Sequence, residues 1–315
     1  MIDTVRARLV KKEPLSSDIC SFTFEALGSG FTGLEAGSHV DVILGPELIR
    51  NYSVWEWADG GDYLSVAVKR EDTGRGGSLA MHELEVGVEV KVGGPRNNFP
   101  IVSKSQPIVL VGGGIGITPI YAMACALQQT GRDFEVYYLV RSHDMAAFDS
   151  MFQQLELGDR YHLHCDDTDG FMDFSNLIDM HPRETHYYVC GPEALLEIIR
   201  KTSADHDRGT VFFERFSPIA EERSNPNSSF EVVINSSKES IPVMEDQSIL
   251  SALRDRGYTV DFSCSNGLCG SCITDVLEGE IDHRDSILDD EERECGDCMC
   301  ICVSRAKSSR LVLDL

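Results

Sequence analysis

Seven of the eleven cysteines lie between Cys264 and Cys302, and their spacing is typical of metal ligands. The pattern C-x4-C-x2-C is formed by Cys264, Cys269 and Cys272. With a further cysteine at Cys302, this is the ligand spacing of a plant-type [2Fe–2S] cluster. Four thiolates must converge on two irons, and one tight loop can gather three of them. Gly267 and Gly270 would let backbone N–H groups of that loop approach the sulfides closely.

The fourth thiol is ambiguous, because Cys295, Cys298 and Cys300 also lie near Cys302. A strand predicted over Met299–Ser304 would place Cys300 and Cys302 on one face, so alternation does not separate them. Cys295 and Cys298 could instead join another cysteine in a zinc site, or the three extra thiols could have no role. An odd number of unevenly spaced cysteines fits a disulfide framework poorly.

Two short motifs in the first hundred residues are suited to holding a phosphorylated cofactor. In Arg50-Asn51-Tyr52-Ser53, the Arg could pair with a flavin phosphate, Tyr52 could lie against the flavin, and the Ser53 hydroxyl could bond flavin N5. Downstream, Gly74-Arg75-Gly76-Gly77-Ser78 is a glycine-rich turn that would present free N–H groups to a phosphate. Each motif alone also fits an ordinary feature, an exposed strand in the first case and a hairpin loop or helix cap in the second.

A second glycine-rich turn, Gly112-Gly113-Gly114-Ile115-Gly116-Ile117-Thr118-Pro119, follows a buried strand and opens a helix, as a nucleotide-binding turn must. It departs from G-x-G-x-x-G because Ile117 fills the last glycine position, and the alternative is a close-packed strand–helix turn. Cys190-Gly191-Pro192 ends a later strand, where an open sheet places its ligand crevice. Cys190 could stand near a nicotinamide or be a buried small residue.

Composition limits the class of protein. The 315 residues suggest two domains or three small ones, and the 42% apolar and 25% charged residues are ordinary for globular chains. A net charge of −24 disfavours nucleic acid and anionic lipid as partners. No apolar run approaches the length of a membrane span, and the charged N-terminus does not read as an export signal, so we expect a cytoplasmic protein.

The first hundred residues contain short β-rich runs separated by glycine-rich breaks. This pattern is typical of an antiparallel barrel or sandwich. The predicted strands are Val5–Val10, Cys20–Glu25, Ser38–Leu44, Asn51–Trp55, Tyr63–Lys69 and Glu89–Val92. After Ser103, apolar strands alternate with helices, as in a parallel α/β domain. There the predicted strands are Ile108–Val111, Phe134–Val140, Tyr161–Cys165 and His186–Cys190, and the predicted helices are Ile120–Gln129, Ala146–Leu155 and Glu193–Arg200.

The stretch Ser217–Ser229 has the composition of a linker. Beyond it we predict strands over Phe230–Ile234 and Ile241–Met244, a helix over Ser248–Arg256, the cysteine loop and a last strand over Leu311–Leu315. The chain thus divides into domains at 1–103, 104–224 and 225–315.

Taken together, these motifs make the chain resemble the phthalate dioxygenase reductase family, and vanillate demethylase reductases are similar. The motifs occur in the order seen in that family: RNYS, GRGGS, GGGIGITP, CGP and C-x4-C-x2-C…C. The resemblance runs from Arg50 to the terminal RLVLDL and includes the runs Glu278–Asp285 and Cys302–Lys307. It implies an antiparallel β-barrel that binds FMN, a parallel α/β domain that binds NAD, and a C-terminal β-grasp-like ferredoxin domain. The departures are Trp55 and Trp57, for which packing is expected, and the extra cysteines over Cys295–Cys300.

The resemblance also implies roles for individual residues. Cys302, in the segment that matches the family's fourth cysteine, joins the three loop cysteines as a cluster ligand. The residues expected to hold FMN are Arg50, Tyr52, Ser53, Lys69, Gly76, Gly77 and Ser78. Those expected around the NADH pyrophosphate and nicotinamide are Gly114, Gly116, Ile117, Thr118, Cys190, Gly191 and Pro192, with Arg141 and Ser142 toward the adenosine and Phe216 near the flavin ring. Asp166 and Asp167 could meet the adenosine ribose and disfavour a 2′-phosphate, or form a solvated acidic loop.

The implied activity is that of an NADH-dependent reductase component of a multicomponent oxygenase. NADH would give a hydride to FMN, and single electrons would pass through the [2Fe–2S] cluster to a terminal oxygenase of the Rieske type. No residue must act as a covalent catalyst, because the cofactors carry the chemistry. The alternatives are a reductase for a cytochrome P450, an iron–sulfur carrier without NADH activity, and FAD in place of FMN, which the absence of a long segment with an adenine-stacking aromatic weakly disfavours.

The segment Asp275–Asp297 is strongly acidic, with 11 Asp or Glu residues against two Arg. Such a surface would steer docking onto a basic face of the oxygenase, and the docking rate would then depend on salt. A solvated surface without a partner is the alternative.

Overall fold

The computed structural model describes residues 4–46, 48–205, 209–218 and 227–315. The chain forms two compact units, one over Asp3–Phe216 and one over Ser217–Leu315. The division at 1–103, 104–224 and 225–315 stays a prediction. Of the predicted linker, residues 219–226 lie outside the described residues. Among the helices described, none is both long and apolar enough to cross a membrane.

The first half of the larger unit is a closed barrel of six antiparallel strands, as predicted. The strands are β1 (Thr4–Pro14), β2 (Ile19–Ala26), β3 (His39–Gly45), β4 (Leu48–Trp57), β5 (Tyr63–Lys69) and β6 (Glu89–Arg96). Their order is β1-β2-β5-β4-β3-β6, and pairing of β1 with β6 closes the ring. Alternate side chains such as Phe22, Phe24 and Val66 are fully buried inside it. A short helix, α1 (Gly77–Glu83), lies between β5 and β6.

The second half of the larger unit is a five-stranded parallel sheet, also as predicted. Its strands are β7 (Ile108–Gly113), β8 (Phe134–Val140), β9 (Tyr161–Cys165), β10 (His186–Cys190) and β11 (Thr210–Glu214). Its helices are α2 (Ile117–Gln129), α3 (Asp149–Gln154), α4 (Asp166–Asp169), α5 (Phe174–Met180) and α6 (Glu193–Asp205). The order β11-β10-β7-β8-β9 reverses direction between β7 and β10. Ligands of open α/β sheets bind at such a reversal, beyond the carboxyl ends of the strands.

One apolar core joins the barrel to the parallel sheet within this unit. Ile19 and Ala67 of the barrel are buried in the same cluster as Leu110 of β7. Trp55 of β4 meets the rings of Tyr121 at 5.9 Å and Phe148 at 5.6 Å, edge to face. Trp55 therefore packs between the two halves, as we expected of it. The shared core holds residues of the barrel and of the sheet in a fixed relation.

The C-terminal unit is a mixed sheet with a helix packed on it. Its strands are β12 (Phe230–Ile234), β13 (Ser240–Val243), β14 (Ile273–Glu278), β15 (Ile281–Asp282), β16 (Cys298–Cys300), β17 (Arg305–Ala306) and β18 (Arg310–Leu313). Its helices are α7 (Ile249–Asp255) and α8 (Asp290–Cys295). The main sheet has the order β13-β12-β18-β14-β16, and β15 pairs with β17. Buried residues of α7 and of the sheet share one core, which fits the β-grasp-like prediction.

The predicted strand Met299–Ser304 is wrong. Strand β16 ends at Cys300, and the chain then turns, because the N–H groups of Val303 and Ser304 both donate to the Cys300 carbonyl at 3.2 and 3.0 Å. Cys302 lies in this turn. Its thiol is therefore not related to that of Cys300 by strand alternation.

Candidate functional site

The nucleotide turn and the CGP turn meet at the point where the parallel sheet reverses. Gly112 at the end of β7 is paired with Cys190 at the end of β10. A Cβ on Gly116 would lie 2.4 Å from the Cys190 carbonyl oxygen, and one on Gly113 would lie 3.0 Å from Pro192 Cδ. The two turns thus pack backbone against backbone. Only glycine fits these positions, and the close approach leaves main-chain groups lining the crevice.

The residues predicted at the start of α2 contribute backbone rather than side chains. The Ile117 side chain is fully buried against Gly112. Thr118 is also buried, and its hydroxyl donates to the Ile115 carbonyl at 3.1 Å. Gly114 has φ +54° and open space where a Cβ would be. The turn can therefore present peptide N–H groups to a pyrophosphate, while the two side chains hold its shape.

The residues predicted on the adenosine side also come together. Val140 of β8 pairs with Cys165 of β9, so Arg141 and the acidic helix α4 emerge side by side. The Asp167 N–H donates to the Arg141 carbonyl at 2.9 Å. Ser142 follows, with its hydroxyl bonded to the Asp144 carboxylate. This corner offers an exposed guanidinium and carboxylates next to the sheet edge.

The two flavin motifs are adjacent in the barrel. The Arg50 side chain crosses the turn before α1, where a Cβ on Gly77 would lie 2.4 Å from Arg50 Cγ. The Arg50 guanidinium donates to the Arg75 carbonyl at 2.7 Å. Gly76 caps α1 with φ 77° and no side-chain cap. A guanidinium beside a glycine turn is a donor set that fits a phosphate.

Lys69 and Ser78 complete this cradle through a shared neighbour. Lys69 Nζ lies 3.8 Å from the Glu71 carboxylate, and the Ser78 hydroxyl accepts the Glu71 N–H at 3.0 Å. Two residues after Arg50 in β4, burial raises the pKa of the Tyr52 phenol. Tyr52 is therefore a neutral, half-buried ring that packs against the barrel core. All seven predicted flavin residues thus lie on two neighbouring segments.

Glu214, which the motif analysis missed, connects the flavin side to the nucleotide side. It ends β11, where it is paired with Cys190 at the end of β10. The Ser53 hydroxyl lies 3.4 Å from Glu214 Oε2, and the Cys190 thiol lies 3.9 Å from the same oxygen. One carboxyl thus touches a barrel residue and a sheet residue. Phe216, two residues on, is 40% exposed and stands at the same end of the sheet.

Burial sets the protonation of this carboxyl. Loss of water around it raises the pKa of Glu214 to about 8, although the Ser53 hydrogen bond lowers it somewhat. Burial next to Glu214 also raises the pKa of the Cys190 thiol. Both groups are therefore mostly neutral at pH 7. The site thus presents a hydroxyl, a thiol and a carboxylic acid, all three mostly neutral at pH 7.

The four predicted cluster ligands form two pairs. The Cys264 and Cys269 side chains are hydrogen-bonded to each other, and the Cys272 side chain is hydrogen-bonded to Cys302 and also to Cys300. The four predicted ligands are buried, at 4 to 8% exposure. Within the described residues, no three Cys, His, Asp or Glu side chains form a group that could hold a metal ion. Two pairs of thiols suit a cluster in which each iron takes two of them.

Backbone donors surround these thiols. The N–H groups of Asn266 and Leu268 donate to Cys264 Sγ at 3.4 Å, and the Cys264 N–H donates to Cys269 Sγ at 3.5 Å. Ser271 adds its hydroxyl at 3.3 Å from Cys269 Sγ. Such hydrogen bonds stabilise thiolates and tune an iron–sulfur centre. The loop therefore fits the group that its spacing predicted.

Gly267 allows other segments of the C-terminal unit to pack closely against the thiol loop. It has φ +69°, and a Cβ there would lie 2.7 Å from Val303 and 2.8 Å from the Asp285 backbone. The Gly267 N–H also donates to the Cys302 thiol. Asp285, a second residue that the motifs missed, is buried and bonded to the Ser304 hydroxyl at 3.3 Å. The carboxylate thus links the segment over the loop to the turn that carries Cys302.

Three family models match this chain in the order of the described sites. The model described as "Oxidoreductase FAD-binding domain" covers residues 6–101. "Oxidoreductase NAD-binding domain" covers residues 110–201, and "2Fe-2S iron-sulfur cluster binding domain" covers residues 232–307. The barrel, the parallel sheet and the C-terminal unit are thus a flavin domain, an NAD domain and a ferredoxin-like domain.

Curated relatives match over nearly the whole chain. The phthalate dioxygenase reductase of Burkholderia cepacia is 37% identical over 320 residues, which cover 99% of this chain and 97% of the relative. The vanillate O-demethylase oxidoreductase of a Pseudomonas species is 38% identical, with 96% of each chain covered.

Solved structures agree with these relatives. A phthalate dioxygenase reductase, described as a modular structure for electron transfer from pyridine nucleotides to [2Fe–2S], has a TM-score of 0.75 and is 36% identical; 99% of this chain and 98% of that chain are covered. An intact type IV self-sufficient cytochrome P450 monooxygenase has a TM-score of 0.87 and is 35% identical, with 99% of this chain but 41% of that chain covered. The chain belongs to the phthalate dioxygenase reductase family and is an NAD-dependent flavin and iron–sulfur oxidoreductase.

Proposed function

We propose that the chain is the NADH-dependent reductase component of a multicomponent oxygenase, with FMN as its flavin and a terminal oxygenase of the Rieske type as its acceptor. The observation that carries the proposal is the contact of Glu214 with both Ser53 and Cys190. It brings the predicted flavin and nicotinamide residues to one place. When bound, the flavin and the cluster convert a two-electron hydride donor into a source of single electrons.

In this proposal the barrel residues bind and orient FMN. Arg50 binds the phosphate with Gly76, Gly77 and Ser78, because its guanidinium already lies across their turn. Lys69 lies beside the same turn, where its ammonium group is paired with both Glu71 and Asp18 at 3.8 Å. Tyr52 would lie against the ribityl chain or ring, and the Ser53 hydroxyl, which contacts Glu214, would also be available to flavin N5. FMN is proposed over FAD because the sequence has no long segment with an aromatic residue that could stack on an adenine.

The sheet residues bind and orient NADH. The peptide groups of Gly114, Gly116, Ile117 and Thr118 face the pyrophosphate, since the latter two side chains are buried. Arg141, Ser142 and Asp167 form the adenosine corner, where the acidic helix α4 disfavours the extra phosphate of NADPH. Cys190, Gly191 and Pro192 would hold the nicotinamide side, and Phe216 would lie near the flavin ring. Neutral Glu214 keeps a proton at the junction of the two ring sites.

The C-terminal unit holds the cluster through Cys264, Cys269, Cys272 and Cys302. Cys302 is preferred as the fourth ligand because it contacts Cys272 and also accepts the N–H of Gly267 inside the loop. The loop's N–H groups and the Ser271 hydroxyl would then hold negative charge on the thiolates.

The acidic segment Asp275–Asp297 is the proposed docking face. It includes exposed residues on both β14 and α8. The exposed apolar side chain of Leu277 lies within it, and that of Ile273 lies two residues before it on β14. An apolar centre with a charged surround is typical of interfaces that use electrostatic steering. The proposed partner therefore presents a basic rim.

The first test is the anaerobic visible spectrum of the purified full chain, before and after NADH. We expect flavin and iron–sulfur bands that both bleach on addition of NADH, and FMN on extraction. A cluster without flavin would favour an iron–sulfur carrier instead, and bleaching by NADPH at equal rate would contradict the proposed role of Asp167.

The second test addresses the acceptor. A Rieske oxygenase and a cytochrome P450 are each mixed with the reduced chain, and the rate of electron transfer is followed against ionic strength. We expect faster transfer to the Rieske protein, and a roughly two- to tenfold lower rate at low salt when Glu291 and Glu294 are changed to Gln. The matched control is Glu85→Gln, an exposed carboxylate on the barrel. A rate that does not respond to salt or to these changes would refute docking through the acidic segment.

A further inference from the structure

The cluster loop has a fifth thiol in contact with it. Cys300 ends β16, where it is paired with Ile273, the residue that follows Cys272. The Cys272 side chain is hydrogen-bonded to the Cys300 side chain as well as to Cys302. Cys300 is fully buried, at 0% exposure. Two thiols thus compete for the position next to Cys272.

The two competing thiols differ in what else they reach. Cys302 accepts the N–H of Gly267, and it is close enough to interact electrostatically with Cys264. Cys300 has Cys272 and Cys302 as its thiol neighbours but no contact with a loop N–H group that the structure describes. Cys302 is therefore the better candidate for the fourth ligand. Cys300 is the next candidate, and it would bind the same iron as Cys272.

The backbone holds Cys300 ready for that role. The Ile301 N–H donates to the Cys272 carbonyl at 3.3 Å, and the Cys300 carbonyl accepts from Val303 and Ser304. The Cys300 thiol is therefore fixed beside Cys272 by strand pairing and by the turn. It does not depend on the Cys302 side chain. Removal of that side chain leaves Cys300 where it is and vacates the space between them.

We propose that Cys300 is an alternate fourth ligand, which binds the iron held by Cys272 when Cys302 is absent. The inference rests on the proposed ligand set. In the exchange, the Cys300 thiol loses its proton to solvent and its thiolate forms the iron–sulfur bond that Cys302 otherwise forms. The number of thiolate ligands stays at four, and no electron is gained or lost.

The test uses alanine variants of the full chain, because a serine oxygen could itself bind iron. We expect Cys302→Ala to keep close to two irons per chain, with a changed electron paramagnetic resonance spectrum after reduction. Cys300→Ala should have the wild-type spectrum. The double variant should lose the cluster while it keeps its flavin. Cys298→Ala, on the same strand but more exposed, is the matched control.

The outcomes separate this inference from the ligand assignment. If Cys302→Ala loses its iron and sulfide but keeps flavin, Cys300 is a buried thiol only and the inference is wrong. If Cys300→Ala loses the cluster and Cys302→Ala keeps the wild-type spectrum, Cys302 is not the native ligand and the assignment itself fails. A cluster retained in the double variant would contradict both.

Discussion

Replacing Glu214 by Gln removes one titration and leaves the side-chain shape almost unchanged. The folded carboxyl has a pKa of about 8, against an ordinary value of 4.5. Between these values the folded chain holds a proton that the unfolded chain has released. The stabilisation that the raised pKa gives is therefore present at pH 4 and is lost as the pH rises toward 8. We expect the wild type to lose stability over this window relative to Glu214→Gln.

The shift of 3.5 units would correspond to about 5 kcal/mol in full, at ~1.4 kcal/mol per unit. Glu214 keeps some contact with solvent. We therefore expect a difference of about 2 kcal/mol between pH 5 and pH 8. The assay is denaturant unfolding at four pH values, followed by release of the flavin, with the exposed Glu184→Gln as control.

A gap between wild type and Glu214→Gln that is the same at pH 5 and pH 8 would refute the neutral carboxyl. Stopped-flow reduction by NADH at pH 7 provides a second check. Gln mimics the protonated acid, so the rate should stay within about tenfold, whereas loss of an obligatory proton transfer would cost about 100-fold or more.

Three further changes test the other parts of the site. Arg50→Ala should weaken FMN binding about 10- to 100-fold, as expected for loss of a charged hydrogen bond, and a fluorescence titration measures it; unchanged affinity would remove Arg50 from the phosphate site. Gly116→Ala places a Cβ 2.4 Å from the Cys190 carbonyl, so we expect a loss of about 1–3 kcal/mol in stability and weaker NADH binding, read by calorimetry against Gly60→Ala, whose nearest neighbour is 3.7 Å away. Asp285→Ala should speed release of iron to a chelator while flavin content is unchanged, and an equal release rate would show that the Asp285–Ser304 link does not hold the cluster turn.

Much of the fold is predictable from sequence because its signals are local. Short β-rich runs between glycine-rich breaks mark the barrel strands, and a continuous apolar run marks β7. The glycine turns were readable for the same reason, since a strand, a glycine run and a helix follow one another directly. The thiol loop is local too, with three cysteines within nine residues.

The features of the site that could not be predicted from sequence depend on pairing between distant segments. Glu214 matters because β11 lies beside β10, and nothing near Glu214 in sequence indicates that neighbour. Asp285 gains its role through Ser304, across a similar gap. Cys300 and Cys302 fall on one face of the predicted strand Met299–Ser304, and they are separated only by the turn that replaces this strand after β16.

The order of the strands in the C-terminal sheet bears on how the protein is made. Strand β18 follows the thiol loop in sequence, yet it lies between β12 and β14 in the middle of the sheet. During synthesis the thiol loop therefore emerges before the strand that completes its support. The larger unit has its own cores and can fold while translation continues, in the N-to-C order that domains usually follow. The frame around the thiol loop is consequently complete only once β18 has paired, later in synthesis than the residues of the loop themselves.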